Sequence, residues 1–306
     1  MNPGALVQKL RDAVKPLVPK SVRRALVRIR LRLRVLTARW RVKPDFVIIG
    51  CQRGGTSSLY RYLGQHPDIS PSLRKETEYF TVRFPEGEAW YRAHFPLELR
   101  HRIAALVGRR RLTFEATPDY LLDPRAPARC REFLPDARIV VLLREPGERA
   151  LSQFHHNVRL DLETEGFERA IAFEESRIAA DIDEMALNPG TQATAFRRYS
   201  YLTRGDYADQ LERWFEQYPR DRFLILESEE FFSDPDRVLG KVLEFVGARS
   251  WSPPEFRNYS YLKRGVVGHE EVPADLREML DDRFADSNNR LGALIDVNLE
   301  WLDRKL

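Results

Sequence analysis

Residues 45–58, DFVIIGCQRGGTSS, constrain the fold of this chain more than any other stretch. The apolar run at 46–49 is too short for a helix and rich enough in β-branched residues for a buried parallel strand. Gly50, Gly54 and Gly55 follow, and Thr56, Ser57 and Ser58 then open an amphipathic pattern carried by Leu59, Tyr60 and Leu63. A strand, a glycine turn, a hydroxyl cap and a helix form the arrangement that aims backbone N–H groups and a positive helix end at a phosphate. Arg53 adds a fixed charge inside the loop. An ordinary strand-to-helix turn requires neither the cation nor the hydroxyls, so their coincidence favours an anion site.

The overall charge of +4 conceals an asymmetry. Residues 1–43 hold 13 Lys and Arg against one acid, Asp12, which leaves 37 basic and 45 acidic side chains in the rest of the chain. From Ser21 onward, Val22, Leu26, Ile29, Leu33, Leu36 and Trp40 fall at helical spacing, with arginines at 23, 24, 28, 30, 32, 34, 39 and 41 around them. A basic amphipathic helix over residues 21–41 fits an anionic membrane surface. A solvated or disordered leader fits the composition as well, and strict alternation over 28–35 also allows a strand. A single aromatic in the arm argues against nucleic-acid binding. Cys51 and Cys130 offer neither a disulfide framework nor a metal cluster, and no metal is expected. Reduced thiols suit a cytoplasmic protein, here one associated with the inner face of the membrane. No apolar run approaches the roughly eighteen residues that span a bilayer, and no signal-peptide core is expected.

Along the chain, strand-like runs at 69–72, 112–115, 138–143 and 222–226 alternate with helical patterns at 86–106, 125–134, 147–154, 206–218, 235–246 and 273–294. Residues 160–198 are acidic and helical in pattern, broken at Asn188-Pro189-Gly190. This alternation predicts an α/β fold: one domain over 44–306 with a central parallel sheet flanked by helices, and a P-loop-like strand–loop–helix at its anion site. Residues 1–43 form an arm, basic and amphipathic or disordered.

Three separated segments, in order, resemble the sulfotransferases that use 3′-phosphoadenosine 5′-phosphosulfate (PAPS). GCQRGGTSSLYRYLGQHPDI resembles the family's 5′-phosphosulfate loop, which implies donor contacts from Gln52, Arg53, Gly54, Gly55, Thr56, Ser57 and Ser58. IVVLLREPGERALSQF resembles its 3′-phosphate motif and implies roles for Arg144 and Ser152. LKRGVVG resembles the loop that closes over the 3′-phosphate, through Lys263, Arg264 and Gly265. The pattern Lys75-Glu76…Tyr79-Phe80 is similar to the heparan-type carbohydrate branch, in which the Glu supplies the catalytic carboxylate. WYRAHFP and FEATPDYLL fall where that branch has related segments, but Ala116 stands where it carries a Lys associated with substrate contact. The resemblance therefore implies PAPS as donor and a hydroxyl or amine acceptor on a carbohydrate or glycolipid.

Sulfuryl transfer builds charge on the leaving phosphate, so positioning and electrostatic stabilisation carry most of the catalysis. Arg53 is placed to neutralise the departing oxygen. A sugar hydroxyl also needs a general base. Glu76 is the candidate, with Glu78 its competitor and His156, one helical turn after Ser152, a third catalytic candidate; His155 is expected on the surface. Arg144 has an alternative as the ion-pair partner of Glu145 or Glu148. A P-loop kinase is the rival enzyme, but the Gly-Lys-Ser/Thr closure it requires is Gly55-Thr56-Ser57 here. A membrane-surface binding protein with an inactive nucleotide site is the non-enzymatic rival.

Overall fold

The computed structural model describes residues 20–188, 190–257 and 273–302. Among these residues five strands, β1 (Phe46–Gly50), β2 (Ile69–Pro71), β3 (Leu112–Ala116), β4 (Arg138–Leu143) and β5 (Phe223–Glu227), form one sheet in the order β2-β3-β1-β4-β5. Every pairing is parallel, with Phe46 opposite Phe114 on one side and Arg138 on the other. This is an α/β single domain. The chain builds β2 and β3 on one side of β1, then crosses to place β4 and β5 on the other. A crevice at the carboxyl ends of β1 and β4 follows from that reversal, and it is where open α/β sheets bind ligands.

Alternate β1 and β4 residues feed two cores. Val47, Ile49, Ile139 and Val141 pack with Tyr79, Tyr91, Tyr120 and Trp214 on one face, while Phe46, Ile48, Val140 and Leu142 pack with Leu59, Leu63 and Leu239 on the other. All five β1 residues are buried. Full burial of such side chains contributes roughly 1.5–3 kcal/mol each, which is why a run of continuous apolar residues belongs to a central parallel strand.

The helix expected over 86–106 is two helices, Gly87–Arg92 and Glu98–Leu106. Pro96 disfavours helical backbone at Phe95 and ends the first segment. The break supplies carbonyls to the arm. Arg34 donates to Ala93 O at 2.6 Å and to Phe95 O, Arg41 Nη1 to Phe95 O at 2.8 Å, and Val42 N to Pro96 O at 3.1 Å. The arm itself is an α-helix over Lys20–Val35, so helical spacing prevails over the alternation at 28–35. The pattern over 160–198 resolves into Phe167–Ala172, Glu174–Leu187 and Thr194–Tyr199.

His94, at that same break, gives the fold a pH dependence. Its ring is buried, lies 4.4 Å from the Trp90 ring, and has Nδ1 3.0 Å from Trp90 O. Burial pushes its pKa down to about 4. The unfolded chain then takes up a proton near pH 6.5 that the folded chain refuses, so stability falls as pH drops from about 6.5 towards 4. Between pH 7 and pH 5 this group alone is expected to remove about 2 kcal/mol. Urea unfolding of the wild type and His94→Gln at both pH values checks it: the variant should lose that share of the difference.

Candidate active site

The loop after β1 is held by the sheet. Cys51 N donates to Leu142 O on β4, and Gly54 N to Cys51 O at 3.1 Å. Arg53 (φ +71°) and Gly55 (φ +93°) are both left-handed, the kind of turn in which backbone N–H groups form an anion-binding concavity. A Cβ on Gly54 would lie 2.8 Å from Cys51 Sγ, and one on Gly55 2.9 Å from Phe231 Cδ1. The hydroxyl cap expected from Thr56, Ser57 and Ser58 is not formed. Gly55 occupies the N-cap of the Thr56–Leu63 helix and no side chain caps it. Left-handed backbone at the entry suits glycine, and it draws all three hydroxyl residues into the first turn. Thr56 and Ser58 are buried there, and Ser57 is half-buried.

Beside this loop, β4 runs into the Pro146–Arg159 helix, whose N-cap Glu145 accepts from Gly147 N at 2.7 Å and Glu148 N at 2.5 Å. Glu145 is thereby committed to its own helix. Arg144 instead has Nη2 3.4 Å from Glu148 Oε2 and Nε 3.9 Å from Glu229 Oε1, while Tyr207 Oη donates to its carbonyl at 2.8 Å. Ser152 Oγ accepts from Arg53 Nε at 3.0 Å, joining the loop to the helix. Burial first, then the charges of Arg144 and Arg159, lower the Arg53 pKa to about 10. Among the described residues, Arg144 Nε and Gln52 Oε1 are buried with no hydrogen-bond partner. Part-buried guanidiniums that repel one another, beside an orphaned donor, fit a polyanionic nucleotide. Glu229 and Tyr207 gave no local sequence signal for their place here.

Opposite the loop, a cleft of about 250 Å³ is lined by Gln52, Glu76, Glu78, Asp119, His156 and Arg197 among others. Glu76 (φ +59°) and Glu78 (φ +56°) are both left-handed, at a cost on the order of 1–2 kcal/mol each. Glu76 is paired with Lys75 Nζ and its side chain remains 45% exposed. Glu78, 19% exposed, has Oε1 2.9 Å from Arg197 Nη2. Arg197 Nε lies 2.9 Å from Asp119 Oδ2, and Asp119 Oδ1 lies 2.9 Å from Arg204 Nη1. Burial opposes ionisation of Asp119, but the two arginines prevail and hold its carboxyl below the usual range.

His156 also lies at this cleft. Its Nδ1 accepts from Arg159 Nη2 at 2.7 Å, since a guanidinium only donates, and the neutral ring then carries its proton on Nε2. Burial, then Arg53 and Arg159, lower its pKa, which Glu76 partly offsets. His155 is partly exposed, its ring 5.5 Å from that of Phe154. Lys263, Arg264 and Gly265 lie outside the described residues. Among the described residues, no helix is long and apolar enough to cross a membrane.

A parallel sheet whose order reverses at a glycine-curled loop, with arginines on one side and a carboxylate-lined cleft on the other, defines a nucleotide-dependent group transferase in form. The family model described as a sulfotransferase domain matches residues 43–260. The chain belongs to the sulfotransferase family, whose sulfuryl donor is PAPS. It is 31% identical to the Homo sapiens heparan sulfate glucosamine 3-O-sulfotransferase 6 over 277 residues, covering 84% of this chain and 73% of that protein. It is 24% identical to the Dictyostelium discoideum membrane-associated sulfotransferase kil1, covering 84% of this chain and 66% of that one. Among solved structures, a sulfotransferase from Alicyclobacillus acidocaldarius superposes with TM-score 0.64 at 31% identity, covering 86% of this chain and all of that one.

Proposed function

We propose that this enzyme transfers the sulfuryl group of PAPS to a hydroxyl of a carbohydrate or glycolipid, with Glu76 as general base. In that reading Gln52 to Ser58 hold the 5′-phosphosulfate, and Arg144 and Ser152 hold the 3′-phosphate. The acceptor oxygen bonds to sulfur as the bond from sulfur to the phosphate oxygen breaks. The acceptor proton passes to Glu76, and Arg53 stabilises the charge on the leaving phosphate. One observation carries the assignment of the base: Glu78 is bound by Arg197, while Glu76 stands half-exposed at the cleft with one flexible lysine beside it. His156 has Nε2 free to donate to a bound ligand in that reading and does not compete as the base, because its Nδ1 lone pair is already taken by Arg159.

The lining favours an uncharged acceptor. Three carboxylates, Glu76, Glu78 and Asp119, line the cleft beside Arg197 and Arg198, and Arg197 is already paired to Glu78 and Asp119, which is poor complementarity for a polyanionic chain. Labelled PAPS offered to neutral glycolipids and to N-sulfated heparosan tests this. Label is expected in the neutral acceptors, and transfer to heparosan alone would overturn the reading.

The arm supports a place at an anionic membrane surface. Val22, Leu26, Ile29, Leu33, Leu36 and Trp40 are all exposed, among exposed arginines at 28, 30, 32 and 39. A second exposed stripe, Leu99, Ile103 and Leu106, begins beside the Arg41–Leu97 bridge that joins the arm to the body. Apolar stripes among arginines match the interface of a bilayer with anionic headgroups. Replacing Leu26, Ile29 and Leu33 with Ser keeps the Arg34 anchor. It is expected to cut co-sedimentation with phosphatidylserine vesicles at least tenfold, since each buried side chain contributes roughly 1.5–3 kcal/mol. Added salt should weaken the wild type as well. Sedimentation indifferent to both changes would remove the membrane reading.

A further inference from the structure

The two left-handed carboxylates sit above a buried hub that the chemistry of transfer does not itself require. Glu115, on β3, is fully buried. Its Oε1 accepts from Tyr91 Oη at 2.6 Å and Tyr120 Oη at 2.9 Å; its Oε2 accepts from Thr117 Oγ1 at 3.1 Å and from Thr77 Oγ1. An ionised carboxylate only accepts, so each hydroxyl spends its single proton inward and keeps its lone pairs for other donors. Those lone pairs meet the backbone of the turn. Tyr120 Oη is 2.9 Å from Tyr79 N and 3.4 Å from Phe80 N, and Thr117 Oγ1 is 3.5 Å from Glu78 N. Thr77, which separates Glu76 from Glu78, is itself one of the four hydroxyls. Glu76 N donates to Ala116 O at 3.0 Å, so β3 also holds the near end of the turn.

We propose that Glu115 is a positioning residue: by orienting the hydroxyls of Thr77, Thr117 and Tyr120 it fixes the strained turn at 76–78 and so aims the Glu76 carboxylate into the cleft. Local sequence preference does not hold this turn, because left-handed backbone at two glutamates persists only where surrounding contacts over-determine it. The hub supplies those contacts through proton direction. Loss of the acceptor charge lets the hydroxyls turn, and an O–H would then face an N–H. Burial raises the Glu115 pKa and the four hydroxyl bonds oppose that rise. Aiming Glu76 rests on its reading as the base, whereas the hold on the turn does not.

Tyr91 provides the control. Its hydroxyl binds the same carboxylate oxygen as that of Tyr120 and is equally buried, but among the described residues it hydrogen-bonds to Glu115 alone. Amide exchange followed by mass spectrometry on Tyr120→Phe, Tyr91→Phe and the wild type reads the turn directly. Tyr120→Phe is expected to speed exchange at residues 78–80 at least tenfold, with Tyr91→Phe within twofold of the wild type there. Both should bind 3′,5′-diphosphoadenosine as the wild type does. With labelled PAPS and octyl galactoside as acceptor, Tyr120→Phe should lower kcat about tenfold at unchanged KM for PAPS, and Tyr91→Phe should not. Equal exchange in the two variants, whether fast or slow, overturns the proposal. Should the wild type not turn over octyl galactoside, the acceptor reading fails while the exchange result still decides the hub. Faster exchange with unchanged kcat would keep the hub and reject Glu76 as its beneficiary.

Discussion

Glu76→Gln is expected to lower transfer from PAPS by about 10²–10⁴-fold, the usual worth of a positioned general base, while leaving affinity for 3′,5′-diphosphoadenosine unchanged. The substitution keeps the size of the side chain and removes the carboxylate that accepts the proton. Donor affinity should hold because the 51–55 turn, Arg53, Ser152 and Arg144 belong to β1, β4 and the helices that follow them, whereas Glu76 hangs from the end of β3 through Ala116 O. Glu78→Gln is expected to cost far less. It removes one of two carboxylate partners of Arg197, and Asp119 still holds that guanidinium at 2.9 Å. Initial rates with labelled donor, taken alongside calorimetry of each variant, separate the cases. Activity of Glu76→Gln within threefold of the wild type would exclude Glu76 as the base. A collapse in Glu78→Gln instead would mean that Arg197 releases Glu78 when the acceptor binds.

The sheet was legible because each of its central strands is a short apolar run with no polar face to mistake for anything else. Residues 138–143 coincide with β4, and 46–49 with all but the last residue of β1. Helices bounded by a proline and a glycine, such as Pro235–Val246 before Gly247, were equally plain, since both boundary residues act locally. Failures came where tertiary contacts overrule local preference. The break at Phe95-Pro96 lies within a helical pattern of aromatics, and its carbonyls are occupied by Arg34 and Arg41 from the arm. Hydroxyls after two glycines suggested a cap, but left-handed backbone at Gly55 moved the helix start by one residue. At the site, the loop and the REPGERALS segment carry their placement in local spacing. The Glu78–Arg197–Asp119–Arg204 chain does not, because its members come from residues far apart in sequence and each alone reads as a solvated charge. The glutamate hub was hidden for the same reason: Glu115 sits in a strand pattern, and only the fold brings hydroxyls from Thr77, Tyr91 and Tyr120 around it.

Arg144→Ala is expected to weaken 3′,5′-diphosphoadenosine by about ten- to a hundredfold, the worth of a charge-assisted hydrogen bond of roughly 1.5–3 kcal/mol, and to weaken AMP much less. The guanidinium lies at the carboxyl end of β4, its Nε buried without a hydrogen-bond partner among the described residues and 3.9 Å from Glu229 Oε1. Its pairs to Glu148 and Glu229, at 3.4 and 3.9 Å, are long for charge-assisted bonds, which leaves the cation room for a stronger anion. AMP lacks the 3′-phosphate, so the difference between the two nucleotides isolates that contact from general loss of positive charge. Arg53→Ala supplies the contrast: a cation in the 5′ loop should weaken both nucleotides alike. Removing Arg144 also leaves Glu229 without its cation and Glu148 with Arg277 alone, at 3.8 Å, and Arg144→Lys, which keeps the charge and loses the fork, measures that contribution. Calorimetry of the three variants with both nucleotides decides the matter. Equal losses for AMP and 3′,5′-diphosphoadenosine in Arg144→Ala would mean that Arg144 acts through the field of the whole site and does not read the 3′-phosphate.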